Sequence, residues 1–207
     1  VRVLTPEQME MQPEHNRNIS ELLQYLPGQF VNTLSRNDAN WGSYGGLGPK
    51  YNGYFLDGLP IDSFADAMSL DPWAFERIEL YEGPAVVMYP NYLTMDFAGN
   101  ESPLGGITNI MLKDRVEGPA TRIRLGAGDY GTLGGRVYHQ DSVDGLNYFF
   151  GAAYERSGYT DYGAENSWLH ILQDPEYKKT KAYAKVSWLG DESSLSVFAH
   201  HAQHTGF

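Results

Sequence analysis

The sequence predicts an α+β domain followed by antiparallel strands of a transmembrane β-barrel. Three observations carry that expectation. Residues 1–114 alternate short strands with single helical turns and are punctuated by glycine. Residues 115–207 contain five longer segments in which apolar and polar side chains alternate with the two-residue period of a strand. Aromatic residues make up 14% of the chain, with 15 Tyr and 23 Gly among 207 residues, a content suited to the interfaces and turns of a barrel.

In the first region "VRVL" reads as a short strand stopped by Pro6. "NISELLQYLPG" reads as a compact helix, with Asn18 as N-cap, Glu21 three residues on, an apolar face of Leu22, Leu23 and Leu26, and a Pro27-Gly28 stop. "QFVNTL" is another short strand. "SRNDANWGSYGGLGPK", Ser35 to Lys50, has no period and reads as a long loop, of a kind that is usually functional or disordered. "YNGYFLDGLPI" is a strand broken by the turn signal Asp57-Gly58. "DPWAFER" opens as one helical turn, with Asp71 as cap and Pro72 at the first helical position. It leads into "FERIELYEGPAVVMY", which sets Arg77, Glu79 and Tyr81 against Ile78 and Leu80, turns at Glu82-Gly83-Pro84, and continues as an apolar strand from Ala85 to Met88.

In the second region "TRIRLGAG" separates Ile123, Leu125 and Ala127 from Arg122 and Arg124. "LGGRVYH" sends Leu133 and Val137 outward when Arg136 and Tyr138 point inward. "LNYFFGAAYE" sets Leu146, Tyr148, Phe150, Ala152 and Tyr154 against Asn147, Gly151, Ala153 and Glu155. "KAYAKVSW" sets Ala182, Ala184, Val186 and Trp188 against Lys181, Tyr183, Lys185 and Ser187, and "SLSVFAH" sets Leu195, Val197 and Ala199 against Ser194, Ser196 and His200. Short links at "GDYG", "DSVDG" and "LGDES" and one long insert from about Gly158 to Lys179 fit barrel strands joined alternately by short turns and longer loops. A soluble β-sandwich also alternates, but it would cover the apolar faces with a second sheet.

Charge narrows the function classes. Fifteen basic residues against 26 acidic give a net charge of −11, and residues 1–114 hold 6 of the basic and 15 of the acidic ones. Nucleic acid is an unsuitable partner, because that affinity comes mainly from Lys and Arg on phosphates. The inward charges of the second region are instead basic: Arg122, Arg124, Arg136, Lys181 and Lys185 against Glu155. Such a wall suits an acidic partner, and the first region is acidic. The absence of cysteine excludes disulfides and thiolate metal sites. "VRVLTPEQMEM" lacks the form of a signal peptide, and no apolar run is long enough for a membrane-spanning helix.

"FERIELYEGPAVVMY … PLGGITNIMLKD" resembles the plug-domain signature of TonB-dependent outer-membrane receptors, in which I-E-R-I-E-V leads to R-G-P-A, an apolar strand ending in Tyr-Gly, and then G-G-x-I-N-I. Glu76, Arg77, Ile78 and Glu79 fit the first part, Gly83, Pro84 and Ala85 the second, and Gly105, Gly106, Asn109 and Ile110 the last. "TPEQMEMQPEHNRNISELLQYLPGQFV" is similar to the family's plug opening and "YFLDGLPI" to its central strand, so the likeness runs through the whole chain in order. The sequence departs from the pattern at Glu82, where a basic residue is usual, at Pro90, where Gly is usual, in the insertion Asn91–Ser102, and in lacking Arg-Gly before the central strand.

The resemblance implies a plug domain over 1–114 and, over 115–207, about five strands of a barrel of about 22. Five strands leave unpaired edges that lipid does not tolerate, so further strands, from a longer chain or another chain, are expected to complete the barrel. The implied function is uptake of a scarce ligand across the outer membrane of a Gram-negative bacterium, a ferric siderophore or similar metal chelate, with plug rearrangement driven by a TonB-type protein that engages a segment upstream of Val1. No cofactor and no catalysis are implied. Candidate ligand contacts in the outward plug loops are Arg36, Asn37, Trp41, Tyr44, Asp62, Ser63, Phe64, Tyr89, Tyr92 and Phe97, because aromatics offer broad contact with polar tips and Arg pairs with anionic chelates. Packing of plug against barrel is the plainer role for each. Glu76, Arg77, Glu79, Arg122, Arg124 and Arg136 are assigned to plug–barrel contacts. On a regular strand the spacing of Glu76, Arg77 and Glu79 does not bring all three to one face, which disfavours an acid–base role. Of His200, His201 and His204 only the first and last share a strand face, and a structural role is expected there rather than a metal site.

Overall fold

The computed structural model describes residues 1–12, 19–33, 40–44, 46–47, 51–61, 69–82, 105–158 and 176–206, with backbone only at residues 20–21, 31–33 and 40–44. The chain divides into two compact units, Val1–Lys113 and Asp114–Phe207.

The first unit is built on a five-stranded sheet of order β1-β6-β7-β4-β5. Its strands are β1 (Arg2–Leu4), β4 (Asn52–Leu56), β5 (Leu59–Ile61), β6 (Phe75–Tyr81) and β7 (Gly106–Leu112); a separate hairpin pairs β2 (Gln29–Thr33) with β3 (Asn40–Tyr44). β7 lies at the centre, parallel to β4 and antiparallel to β6. Both central strands are buried on both faces: Tyr54 and Phe55 on β4, and Ile107, Thr108, Asn109 and Ile110 on β7, are all buried neighbours in sequence. Neither strand therefore alternates in burial, and the polar Asn52, Thr108 and Asn109 are buried along with the apolar residues.

Two elements depart from the sequence expectation. Pro6 does not merely stop β1; it opens helix α1 (Pro6–Glu10), capped by Thr5, whose hydroxyl accepts from the Gln8 amide while the Gln8 side chain accepts from the Thr5 amide. The region read as one loop from Ser35 to Lys50 contains β3, whose five residues pair antiparallel with β2 from Thr33↔Asn40 to Gln29↔Tyr44. A partner strand overrides weak propensity there. Helix α2 (Ile19–Leu23) buries Leu22 and Leu23 as expected but ends before Leu26, which is half-buried in the turns that follow and whose amide donates to Leu23 O at 2.9 Å; Gly28, with a φ of 84°, closes those turns. The cap Asn18 and the apolar strand read at Ala85–Met88 lie outside the described residues. Asp71 caps a 3₁₀ turn at Pro72–Ala74, its carboxylate accepting from the Trp73 amide at 2.9 Å.

The second unit is a meander of order β12-β11-β10-β9-β8: β8 (Ala120–Gly128), β9 (Thr132–Val143), β10 (Leu146–Ser157), β11 (Tyr177–Leu189) and β12 (Ser194–Gly206). Neighbours pair antiparallel in unbroken register along nearly their whole length. Asp144 and Gly145, with φ of 50° and 82°, form the two-residue turn between β9 and β10. On β10 and β11 burial alternates residue by residue, with polar and charged residues on the buried face and Phe150, Tyr154, Val186 and Trp188 among those on the exposed one. This polarity is inverted relative to a soluble sheet. At Gly151 the Tyr183 ring lies where a side chain would stand, 2.4 Å from the position of a Cβ, so the small residue makes room for the aromatic.

Candidate functional site

The carboxylates and guanidinium of the opening signature gather on one face of β6, against the expectation for a regular strand. Phe75 pairs with Leu112 and Arg77 with Met111, so Glu76 and Arg77 share a single partner across the ladder. This bulge turns both residues outward, while Phe75, Ile78 and Leu80 remain buried. Arg77 then bridges the two acids: Nε lies 2.7 Å from Glu79 Oε1 and Nη1 lies 2.8 Å from Glu76 Oε1. The second Glu79 oxygen accepts from Tyr81 Oη at 2.8 Å and from Asn109 Nδ2 at 3.2 Å. Burial works to raise the Glu79 carboxyl, but the hydrogen bonds from Tyr81, Arg77 and Asn109 prevail and hold it below the ordinary carboxylate range. The Glu79 hydrogen bond in turn raises Arg77 further. Glu79 is thus a firmly ionised structural anion, ill-suited to taking up a proton.

Asn109 extends the network to the β4–β5 hairpin. Its Oδ1 accepts from the Gly58 amide at 3.1 Å, while Asp57 Oδ1 accepts from the Leu112 amide at 2.9 Å and the Asp57 amide donates to Ile110 O at 2.8 Å. Asp57 and Gly58, at φ of 48° and 81°, form a left-handed pair. Two distant signature motifs, around Glu79 and Asn109, therefore meet at one buried point. The departure at Glu82 also has a local counterpart, since Arg2 Nε lies 3.4 Å from Glu82 Oε1 across the β1–β6 edge.

On the second unit the buried face is basic. Arg136, Lys181 and Lys185 lie there as expected, joined by Lys179, which the sequence reading left in the insert. Arg124 pairs with Arg136, and Arg122 with Tyr138, so both arginines project on that same face, although their side chains are exposed on the terminal strand β8. Glu155 accepts from Tyr177 Oη at 2.9 Å, and Phe149 stacks on Tyr138 at 5.8 Å and meets Tyr183 edge-on at 6.2 Å. His200, His201 and His204 lie on β12, with His200 stacked on Phe198; among the described residues no group of three His, Cys, Asp or Glu is arranged to hold a metal.

Of the loop residues expected to meet a ligand, Trp41 and Tyr44 fall on β3, while Arg36, Asn37, Asp62, Ser63, Phe64, Tyr89, Tyr92 and Phe97 lie outside the described residues, as does the insertion Asn91–Ser102. Asp57 and Tyr81 joined the network without being foreseen; the Asp-Gly turn was visible, but not that its carboxylate reaches β7.

The TonB-dependent Receptor Plug Domain model matches residues 1–92. The "Ferrichrome outer membrane transporter/phage receptor" of Escherichia coli (strain K12) is 28% identical over 150 residues, covering 70% of this chain and 18% of that protein. The "Ferrioxamine receptor" of Yersinia enterocolitica is 29% identical over 151 residues, covering 69% of this chain and 19% of that protein. The chain thus spans about a fifth of the length of these curated relatives. The solved pyoverdine outer membrane receptor FpvA of Pseudomonas aeruginosa PAO1 superposes with a TM-score of 0.71 at 18% identity, over 98% of this chain and 27% of that one, a likeness of fold.

Proposed function

We propose that the chain serves an outer-membrane receptor that takes up a ferric siderophore, driven by a TonB-type partner; the plug-domain match over residues 1–92 and the five antiparallel strands, similar in fold to a solved receptor, support this reading. The observation that carries the membrane part is the inverted sheet: on β10 and β11 Phe150, Tyr154, Val186 and Trp188 are 44–49% exposed, while Glu155, Lys179, Lys181 and Lys185 are buried. Lipid suits the first set, and a polar lumen the second. A sandwich would have covered the apolar set. The ligand class is supported by the printed names of the two curated relatives, a ferrichrome transporter and a ferrioxamine receptor.

Within this reading Arg36, Asn37, Trp41, Tyr44, Asp62, Ser63, Phe64, Tyr89, Tyr92 and Phe97 supply the ligand contacts. Glu76, Arg77, Glu79, Arg122, Arg124 and Arg136 serve contacts of plug with wall, supported by the acidic balance of the first 114 residues and the basic buried face of the second unit. The domain boundary is assigned to Asp114. The test is uptake of radiolabelled ferric ferrichrome and ferric ferrioxamine by iron-starved cells whose only such receptor is the native full-length protein. Energy-dependent uptake of either is expected, reduced by a Trp41→Ala/Tyr44→Ala double variant. A native protein that is soluble without detergent, or outer-membrane protein that neither binds nor imports the two chelates, would sink the corresponding half of the proposal.

A further inference from the structure

We infer that the segment Asp114–Gly118 is a latch fastened to the second unit, so that any plug rearrangement leaves it in place and pivots at the Lys113–Asp114 junction; the functional half of this inference rests on the uptake reading above. Attachment changes sides between two consecutive residues. Lys113 belongs to the first unit: its amide donates to Ala74 O at 3.1 Å and its Nζ to Trp73 O at 2.9 Å. Asp114 belongs to the second: one carboxylate oxygen lies 2.8 Å from Lys185 Nζ and accepts from Ser187 Oγ at 2.9 Å.

The fastening continues along the segment. The Val116 amide donates to Asn147 Oδ1 at 3.1 Å, and Asn147 is itself oriented by donating from Nδ2 to Gly145 O at 3.2 Å. Gly118 O accepts from Gln140 Nε2 at 3.3 Å, and Gln140 is oriented in turn by Tyr138 Oη at 2.9 Å. Three strands, β9, β10 and β11, therefore each hold the segment through an inward side chain, and two of those side chains are braced by a further hydrogen bond.

Chemistry makes this side the firmer one. The Lys185 side chain is 2% exposed, and drawing Asp114 away would take a carboxylate from a buried ammonium, a costlier event than releasing the two uncharged-acceptor hydrogen bonds of Lys113 to the Ala74 and Trp73 carbonyls. Val116 is 7% exposed, so lifting the segment also uncovers apolar surface. Between the two anchored residues only the Lys113 ψ and Asp114 φ are free to turn, because the peptide bond between them is planar. Rotation is confined to that point.

The test uses the full-length receptor with Asp114→Cys and Ser187→Cys, in a segment that has no cysteine of its own. Disulfide formation is followed by mass spectrometry, and uptake of the two ferric probes is compared before and after reduction. The bond is expected to form without denaturant and to leave uptake unchanged. Failure of the bond to form, or uptake lost on oxidation and restored by reductant, overturns the latch. If wild type and reduced variant both import nothing, the uptake reading fails instead, and hydrogen exchange decides the latch independently. The Val116 amide is then expected to exchange about fivefold faster in Asn147→Leu than in wild type, the factor for one net hydrogen bond. Equal rates would overturn it.

Discussion

Replacing Asn109 by Leu tests whether the two signature motifs are energetically one site. The side chain is 4% exposed and bridges Gly58 N, Glu79 Oε2 and Met111 Sδ at 3.1, 3.2 and 3.2 Å. A neutral hydrogen bond contributes about 1 kcal/mol net and one to a carboxylate about 1.5–3 kcal/mol, and the Gly58 N–H would lose its acceptor, so a loss of about 3 kcal/mol is expected. Leu is similar in volume, which keeps a cavity from contributing much. Hydrogen exchange on the full-length receptor in detergent, read on peptides covering β6, β7 and the β4–β5 turn, would then show protection falling by about a hundredfold in all three. Combined with Glu79→Gln, the double variant should lose less than the sum of the singles by about 1 kcal/mol or more. A change below about 0.5 kcal/mol, or one confined to β7, would refute the claim that Asn109 ties the hairpin to the bulged strand.

Acid should loosen the same region. Because the folded carboxyl of Glu79 lies below its unfolded value, its contribution is present above the unfolded pKa and disappears as pH falls through the folded pKa. Protection factors on β6, corrected for the slower intrinsic exchange at low pH, should therefore fall in that window in wild type and less so in Glu79→Gln. Gly58→Val places a β-branched residue at φ 81° with open space around it, so backbone strain alone should cost about 1–2 kcal/mol, visible as faster exchange of Leu112. Gly151→Ala drives a methyl into the Tyr183 ring and should cost about 1–3 kcal/mol, lowering the temperature at which the barrel form disappears in heat-modified gel migration. Val186→Arg on the exposed apolar face should destabilise insertion by about 2–4 kcal/mol if that position lies at mid-membrane, whereas Lys181 on the opposite face already carries charge; refolding into lipid vesicles measures this.

The strands of the second unit were legible because their two-residue period is regular: on β10 and β11 every buried residue falls on the parity predicted for the polar face. The Asp57-Gly58 turn and the Asp71 cap were legible for a local reason, since each depends on residues adjacent in sequence. The gathering of Glu76, Arg77 and Glu79 was not. A bulge is a property of two strands, and nothing within "FERIE" announces that Met111 will face two residues. Strand β3 was hidden for the same reason, because "NWGSY" becomes a strand only beside β2. Helix α1 was missed although Thr5 and Gln8 stand at capping-box spacing, a signal the text did carry.

The order of strands also dictates when each unit can form. In the second unit every pairing joins consecutive strands, so hairpins can close as soon as both arms are available. In the first, the central strand β7 is the last in sequence, and β4, β6 and β1 wait for it to complete their sheet; Asn52, for instance, stands opposite Gly106 in the ladder. A chain emerging from its N-terminal side therefore carries Tyr54 and Phe55 of β4 and Ile78 and Leu80 of β6 without their central partner until Leu112 has arrived.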